Sequence, residues 1–109
     1  LDTIELRRLT SFINAARERN LWVIPDMHNY CRRYVNGTRY IVGSPEVSIT
    51  HLADAWKKIA AVLKTYNNIW GYGIINEPHD LLENVPWFNI AQKVVHEIRL
   101  EDTEKPIIV

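Results

Sequence analysis

Cysteine, glycine and net charge are what this sequence has least of. One cysteine, Cys31, stands among 109 residues, which excludes a disulfide framework and any cysteine-rich zinc site. Only four glycines are present, and the Gly71-Tyr72-Gly73 run reaches Asn76 where a dinucleotide-binding fingerprint needs its third glycine. Thirteen Lys and Arg offset thirteen Asp and Glu, so no global field draws the chain to nucleic acid or to an anionic membrane surface, and neither is expected as a partner. The basic dipeptides Arg7-Arg8, Arg32-Arg33 and Lys57-Lys58 read as solvated positions. No apolar run approaches the ~18 residues of a membrane-crossing helix, and no basic-then-apolar leader opens the chain. Leu1 stands where an initiator methionine would be, and a piece of a longer chain is expected. The histidines His28, His51, His79 and His96 lack metal-ligand spacing; no metal and no cofactor is expected. A G-x-S-x-G nucleophile elbow is missing, and Cys31 has no evident activating neighbour.

What is present is a core. An apolar fraction of 47% excludes a disordered or fibrous segment. The length suits one domain, residues 1–109, and falls short of any architecture needing ~250 residues to close. Asp2-Thr3-Ile4-Glu5 has the form of a capping box. It precedes a helical stripe of Ile4, Leu6, Leu9, Phe12, Ile13 and Ala16, which Asn20 terminates. Leu21–Met27 reads as a strand, weakened by Pro25. His28–Val47 reads as a long loop with turns at Asn36-Gly37 and Ser44-Pro45; Asn36-Gly37-Thr38 is also formally a glycosylation acceptor. A second helix from Ser48 or Thr50 carries Leu52, Trp56, Ile59, Leu63 and Tyr66, and ends at Asn67-Asn68. Ile69–Ile75 reads as a second strand. Asn84 caps a third helix with Pro86 in its first turn and a stripe of Phe88, Ala91, Val94 or Val95, and Ile98. A third strand opens at Pro106.

Helices alternate with apolar strands at a period near that of one βα unit. Such alternation predicts parallel strands joined by right-handed crossover helices. An open doubly wound sheet and a slice of a (β/α)8 barrel fit the pattern equally. Both put chemistry at the C-terminal ends of the strands. Two polar clusters fall there, Asp26-Met27-His28-Asn29-Tyr30 and Asn76-Glu77-Pro78-His79-Asp80. Strand alternation groups Trp22, Ile24, Asp26 and His28 on one side, and Gly71, Gly73, Ile75 and Glu77 likewise; Trp70, Tyr72 and Ile74 face the helices. His28 and Glu77 are thereby expected at one rim. A carboxyl group half-buried beside aromatics holds its proton more tightly and can serve as a general acid. An adjacent asparagine offers a sugar hydroxyl both a donor and an acceptor. The alternative for the same residues is a salt bridge at Glu77 and a chain turn at Asn76.

Val23-Ile24-Pro25-Asp26-Met27-His28-Asn29-Tyr30, Trp56, and Gly73-Ile74-Ile75-Asn76-Glu77-Pro78-His79-Asp80 together resemble glycoside hydrolase family five, and within it the cellulase-type endoglucanases. The resemblance implies a slice of a (β/α)8 TIM barrel from the helix before strand three to strand five, the first motif closing strand three and the second strand four. It implies a retaining glycosidase in which Glu77 is the acid/base, Asn76 binds the 2-hydroxyl of the sugar being cleaved, and His28 and Tyr30 line the same sugar. The substrate implied is a β-1,4-glucan, with mannan or xylan as alternatives and a non-catalytic carbohydrate-binding relative as a further one. Secretion is expected on the same ground. Pro25 and Cys31 depart from the family's usual residues. The family's nucleophilic glutamate lies on strand seven, so the rest of the barrel is needed to complete both fold and site. Tyr34 and Tyr40 are expected either to stack on sugar rings or to cover their own loop.

Overall fold

Asp2 opens the first helix. Its Oδ1 accepts from the backbone N–H groups of Ile4 and Glu5 at 2.8 and 2.9 Å, satisfying two of the donors that a helix start leaves orphaned. Helix α1 then spans Thr3–Glu18 in this computed structural model, which describes residues 1–109. The reciprocal arm of the capping box does not form, because the Glu5 carboxylate turns outward to Arg8. Asn20 stops the helix as expected. It takes a left-handed φ of 57°, and the N–H groups of Asn20 and Leu21 return to the carbonyls of Arg17 and Ala16, a Schellman stop with asparagine in glycine's place. Ile13 and Ala16 of the apolar stripe are buried, whereas Ile4 and Phe12 are exposed.

The segment expected as an unstructured loop contains a hairpin. Strands β1 (Arg32–Val35) and β2 (Thr38–Ile41) pair antiparallel, with Arg33 opposite Tyr40 and Tyr34 opposite Arg39. Asn36 and Gly37 supply the turn with φ of 49° and 80°. Two positive φ values in a row match the right-handed twist of the flanking strands, which is why Asn-Gly closes hairpins. The strands themselves are too polar to announce the pairing. Tyr40 packs partly against the core and Tyr34 is exposed, so only Tyr34 remains open for stacking.

Helix α2 covers Ile49–Leu63 and buries Leu52, Trp56 and Leu63. Its cap is a surprise: Ser48 and His51 cap each other, the histidine ring standing where glutamate usually does. The helix ends four residues before Asn67, leaving Tyr66 beyond it. Helix α3 covers Trp87–Arg99. Its N-cap is Pro86 rather than Asn84, because Pro86 is extended at φ −66° and ψ 150° and no side chain caps the start. Ala91, Val94 and Ile98 of the expected stripe are buried; Phe88 is exposed.

Three chain segments lie side by side in sequence order, all parallel. Strand β3 (Tyr72–Gly73) pairs with β4 (Ile107–Ile108), and the expected first strand contributes two isolated bridges, Val23 to Ile69 and Asp26 to Gly73. From one bridge to the next, the first segment advances three residues and the second four, which is a bulge. Pro25 sits in this gap. It has no N–H for the missing rung, and its carbonyl accepts from Gly73 N at 2.9 Å instead. The extra residue corrects the expected alternation: Ile69 is buried with Tyr72 and Ile74, while Trp70 turns out and is 47% exposed. Gly71 is obligatory here, since a Cβ would lie 2.5 Å from the Pro106 carbonyl oxygen.

Trp56 locks helix to sheet. Its Nε1–H donates to the Ile74 carbonyl at 2.9 Å, and its ring meets Tyr72 edge-on at 6.0 Å. The Tyr72 hydroxyl donates to Asp102 Oδ2 at 2.6 Å. Asp102 Oδ1 in turn accepts from the N–H groups of Glu104 and Lys105. Burial raises the Asp102 pKa, yet the Tyr72 bond, the two N–H donors and the Lys105 charge prevail and hold it at about 2. The Tyr72 phenol is pushed well up, by burial first and by Asp102 second.

Candidate active site

The rim where β3 and the Val23–Asp26 segment end carries both polar clusters. The Met27 N–H donates to the Gly73 carbonyl at 3.2 Å, and Asn76 N–H donates to the Met27 carbonyl at 3.1 Å. The backbone thus sets the Asn76-Glu77 tip against the Met27-His28 tip. Gly73 makes room underneath, for a Cβ there would stand 3.1 Å from Asp26 Oδ1.

Above it runs a chain of side chains. His28 Nδ1 lies 3.1 Å from Asp26 Oδ2, and His28 Nε2 lies 3.3 Å from the Tyr30 hydroxyl. A carboxylate only accepts, so Nδ1 carries the proton and Nε2 of the neutral ring is left to accept from Tyr30. Asp26 therefore selects the tautomer that presents an acceptor at the rim. The Tyr30 ring stands between two imidazoles, 5.4 Å from that of His28 and 5.8 Å from that of His79. Tyr30 and Cys31 both take left-handed backbone, φ 56° and 62°. Cys31 beneath them is buried, and burial pushes its thiol up to about 11 against the pull of Arg32. A thiol so placed is inert.

Glu77 is exposed and takes φ of 43°. The half-buried setting expected for it is absent: the residue stands exposed at the strand tip, beyond the end of β3. No ion pair engages Glu77, so the salt-bridge alternative does not describe it. Asn76 is half-buried beside it. Asp80 ends the loop, its carboxylate 2.8 Å from His79 Nδ1, which holds its pKa below the usual range. Spacing places Asp26 and His79 in the strand-tip clusters without giving them partners, and it leaves Arg32 as a solvated charge, because the partners of Arg32 lie 47 and 48 residues away in the chain. A surface hollow of about 230 Å³ lies away from the rim and one of about 220 Å³ reaches Asp26 and Met27, and neither is lined by His28, Tyr30 or Glu77.

A parallel βα arrangement with its polar residues gathered at the strand tips defines a class of enzyme scaffold. The chain belongs to the family Cellulase (glycosyl hydrolase family 5), which it matches over residues 1–109. It is 29% identical over 99 residues to endoglucanase EG-II of Hypocrea jecorina, an alignment that takes in 91% of this chain and 22% of that protein. The structure of Pseudomonas stutzeri endoglucanase Cel5A in complex with cellobiose superimposes with a TM-score of 0.87 at 34% identity, covering 98% of this chain and 31% of that one. XacCel5A in complex with cellopentaose gives 0.86 at 28% identity, covering 100% and 33%. The chain therefore spans about a fifth of its curated relative and about a third of each solved barrel enzyme.

Proposed function

We propose that this chain is the strand-three to strand-five slice of a (β/α)8 barrel and supplies the acid/base half of a retaining endo-β-1,4-glucanase, a secreted enzyme acting on β-glucan. The observation that carries the reading is the backbone tie between the two strand tips, Asn76 N–H to the Met27 carbonyl at 3.1 Å, which sets Glu77 beside the His28 and Tyr30 loop. In the proposed reaction Glu77 donates its proton to the departing glycosidic oxygen, then takes one from water in the second displacement. Asn76 holds the 2-hydroxyl. His28, fixed by Asp26 as an Nε2 acceptor, receives a hydroxyl of the same sugar, and the 3.3 Å bond from Tyr30 is weak enough to yield to it. A second carboxylate ~5–5.5 Å away is required as nucleophile, and it comes from chain beyond these residues. The resemblance to endoglucanases, two of them solved with cello-oligosaccharides, favours glucan over mannan or xylan. Glu77→Gln tests the assignment in the barrel enzyme that carries this segment. kcat/KM for cello-oligosaccharide, which reports the first displacement, should fall by about 10²–10⁴-fold, the usual worth of general acid–base catalysis. Loss on an aryl cellobioside with an acidic phenol should be far smaller. Equal losses on both would refute the acid assignment.

A further inference from the structure

Arg32, expected from its dipeptide to be a solvated charge, is half-buried and engaged. Its Nη1 donates to the Tyr30 carbonyl at 2.7 Å, and its Nη2 donates to the carbonyls of His79 at 2.8 Å and Asp80 at 3.3 Å. One guanidinium thus clasps the loop after the first strand to the loop that begins with Glu77, across 47 and 48 residues of chain. Its charge also acts on the Asp80 carboxylate.

The clasped loop has little else to hold it. After Asn76 N–H no backbone-to-backbone hydrogen bond forms until Val85 N–H reaches the Leu82 carbonyl. Both ends of the Glu77–Asp80 stretch take left-handed backbone, φ 43° and 45°, a conformation that L-residues adopt only at a cost and that persists where surroundings enforce it. The Tyr30–His79 ring contact helps at one point. Leu81 and Val85 pack against the core only downstream of Asp80. Arg32 is the side chain from outside the loop that bonds its carbonyls. The planar fork suits this, since it meets several acceptors at fixed angles where a lysine offers a single point charge.

We propose that Arg32 is a positioning residue for Glu77, holding the Glu77–Asp80 turn by its carbonyls so that the Glu77 carboxyl group meets the departing oxygen. The proposal rests on the reading of Glu77 given above. Proton transfer tolerates little displacement, and a shift of about 1 Å in a catalytic group costs on the order of 10²-fold. The effect must then fall on reactions that need the proton.

The experiment compares kcat/KM for cellopentaose, whose leaving sugar needs protonation, with that for 2,4-dinitrophenyl cellobioside, whose leaving group does not. In the barrel enzyme carrying this segment, Arg32→Ala should lower the first by about 10–100-fold and the second by less than about threefold. Arg32→Lys should fall between, and added guanidinium should restore part of the Arg32→Ala activity on cellopentaose. Arg33→Ala, on the exposed neighbour, should change neither. Glu77→Gln run alongside separates the two claims. If it splits the substrates and the Arg32 variants lower both equally, or neither, Arg32 is not a positioning residue. If Glu77→Gln itself fails to split them, the reading of Glu77 falls and the role of Arg32 with it. Should Arg32→Ala not fold, the same comparison is made with Arg32→Lys, and an equal loss on both substrates overturns the proposal.

Discussion

Single atoms decide where this chain tolerates change. Gly71 faces the Pro106 carbonyl so closely that the methyl group of Gly71→Ala would stand 2.5 Å from that oxygen. Backbone on both sides leaves no flexible side chain to yield, so the parallel strands must separate. The expected cost is about 1–3 kcal/mol, the usual range for overpacking, read as a fall in the denaturation midpoint of the protein. Asp102 is sensitive in another way. Its hydrogen bonds from Tyr72 and from the Glu104 and Lys105 N–H groups depress its folded pKa to about 2. A depressed carboxyl contributes stability above its unfolded pKa and loses it as pH falls through the folded one. Stability should therefore decline between about pH 4 and about pH 2. Tyr72→Phe removes one of those donors and brings the folded pKa back toward the unfolded one, so the acid decline should be smaller and end at higher pH. An unmoved limb would show that Asp102 does not carry it.

At the scale of elements, local chemistry was readable and long-range chemistry was not. Asp2 and Asn20 mark the ends of α1 because caps are decided by a residue and its next few neighbours. The apolar stripe of α2 is readable for the same reason, periodicity being a property of the helix itself. The β1–β2 hairpin is not legible although its Asn36-Gly37 turn is plain, since Arg32–Val35 and Thr38–Ile41 are too polar to look like strands. The bulge beside Pro25 could not be foreseen either: proline announces a missing donor but not which strand takes up the extra residue. The extra residue is what turns Trp70 outward. The places of Glu77, Asn76, His28 and Tyr30 at the strand tips are legible, because topology gathers polar residues there. That of Arg32 is not, since its partners lie 47 and 48 residues away. Gly37→Ala tests the hairpin. At φ of 80° a Cβ is strained, and the expected cost is about 1 kcal/mol, seen as faster hydrogen exchange at residues 32–41 with that of α2 and α3 little changed.

The molecule as a whole is a wedge of 44 × 29 × 21 Å. Its helix-side face is a closed core, while the opposite face of the parallel strands leaves Trp22, Ile24 and Ile108 exposed at 67%, 45% and 46%. Burying an apolar side chain of this kind contributes ~1.5–3 kcal/mol, so several left open are comparable to a whole stability margin. The isolated 109-residue polypeptide should associate or remain partly folded; a sharp monomeric melting transition independent of concentration would contradict this.

The central claim is that Glu77 is the acid/base of a double displacement, and chemical rescue tests it most directly. Glu77→Ala in the barrel enzyme carrying this segment, given an aryl cellobioside and azide, should regain turnover, because azide attacks the glycosyl intermediate without a general base. Two displacements preserve the anomeric centre, so the product predicted is the β-cellobiosyl azide. Near-normal turnover of polysaccharide by the variant, with an unchanged pH profile and no azide adduct, would contradict the account at its central residue.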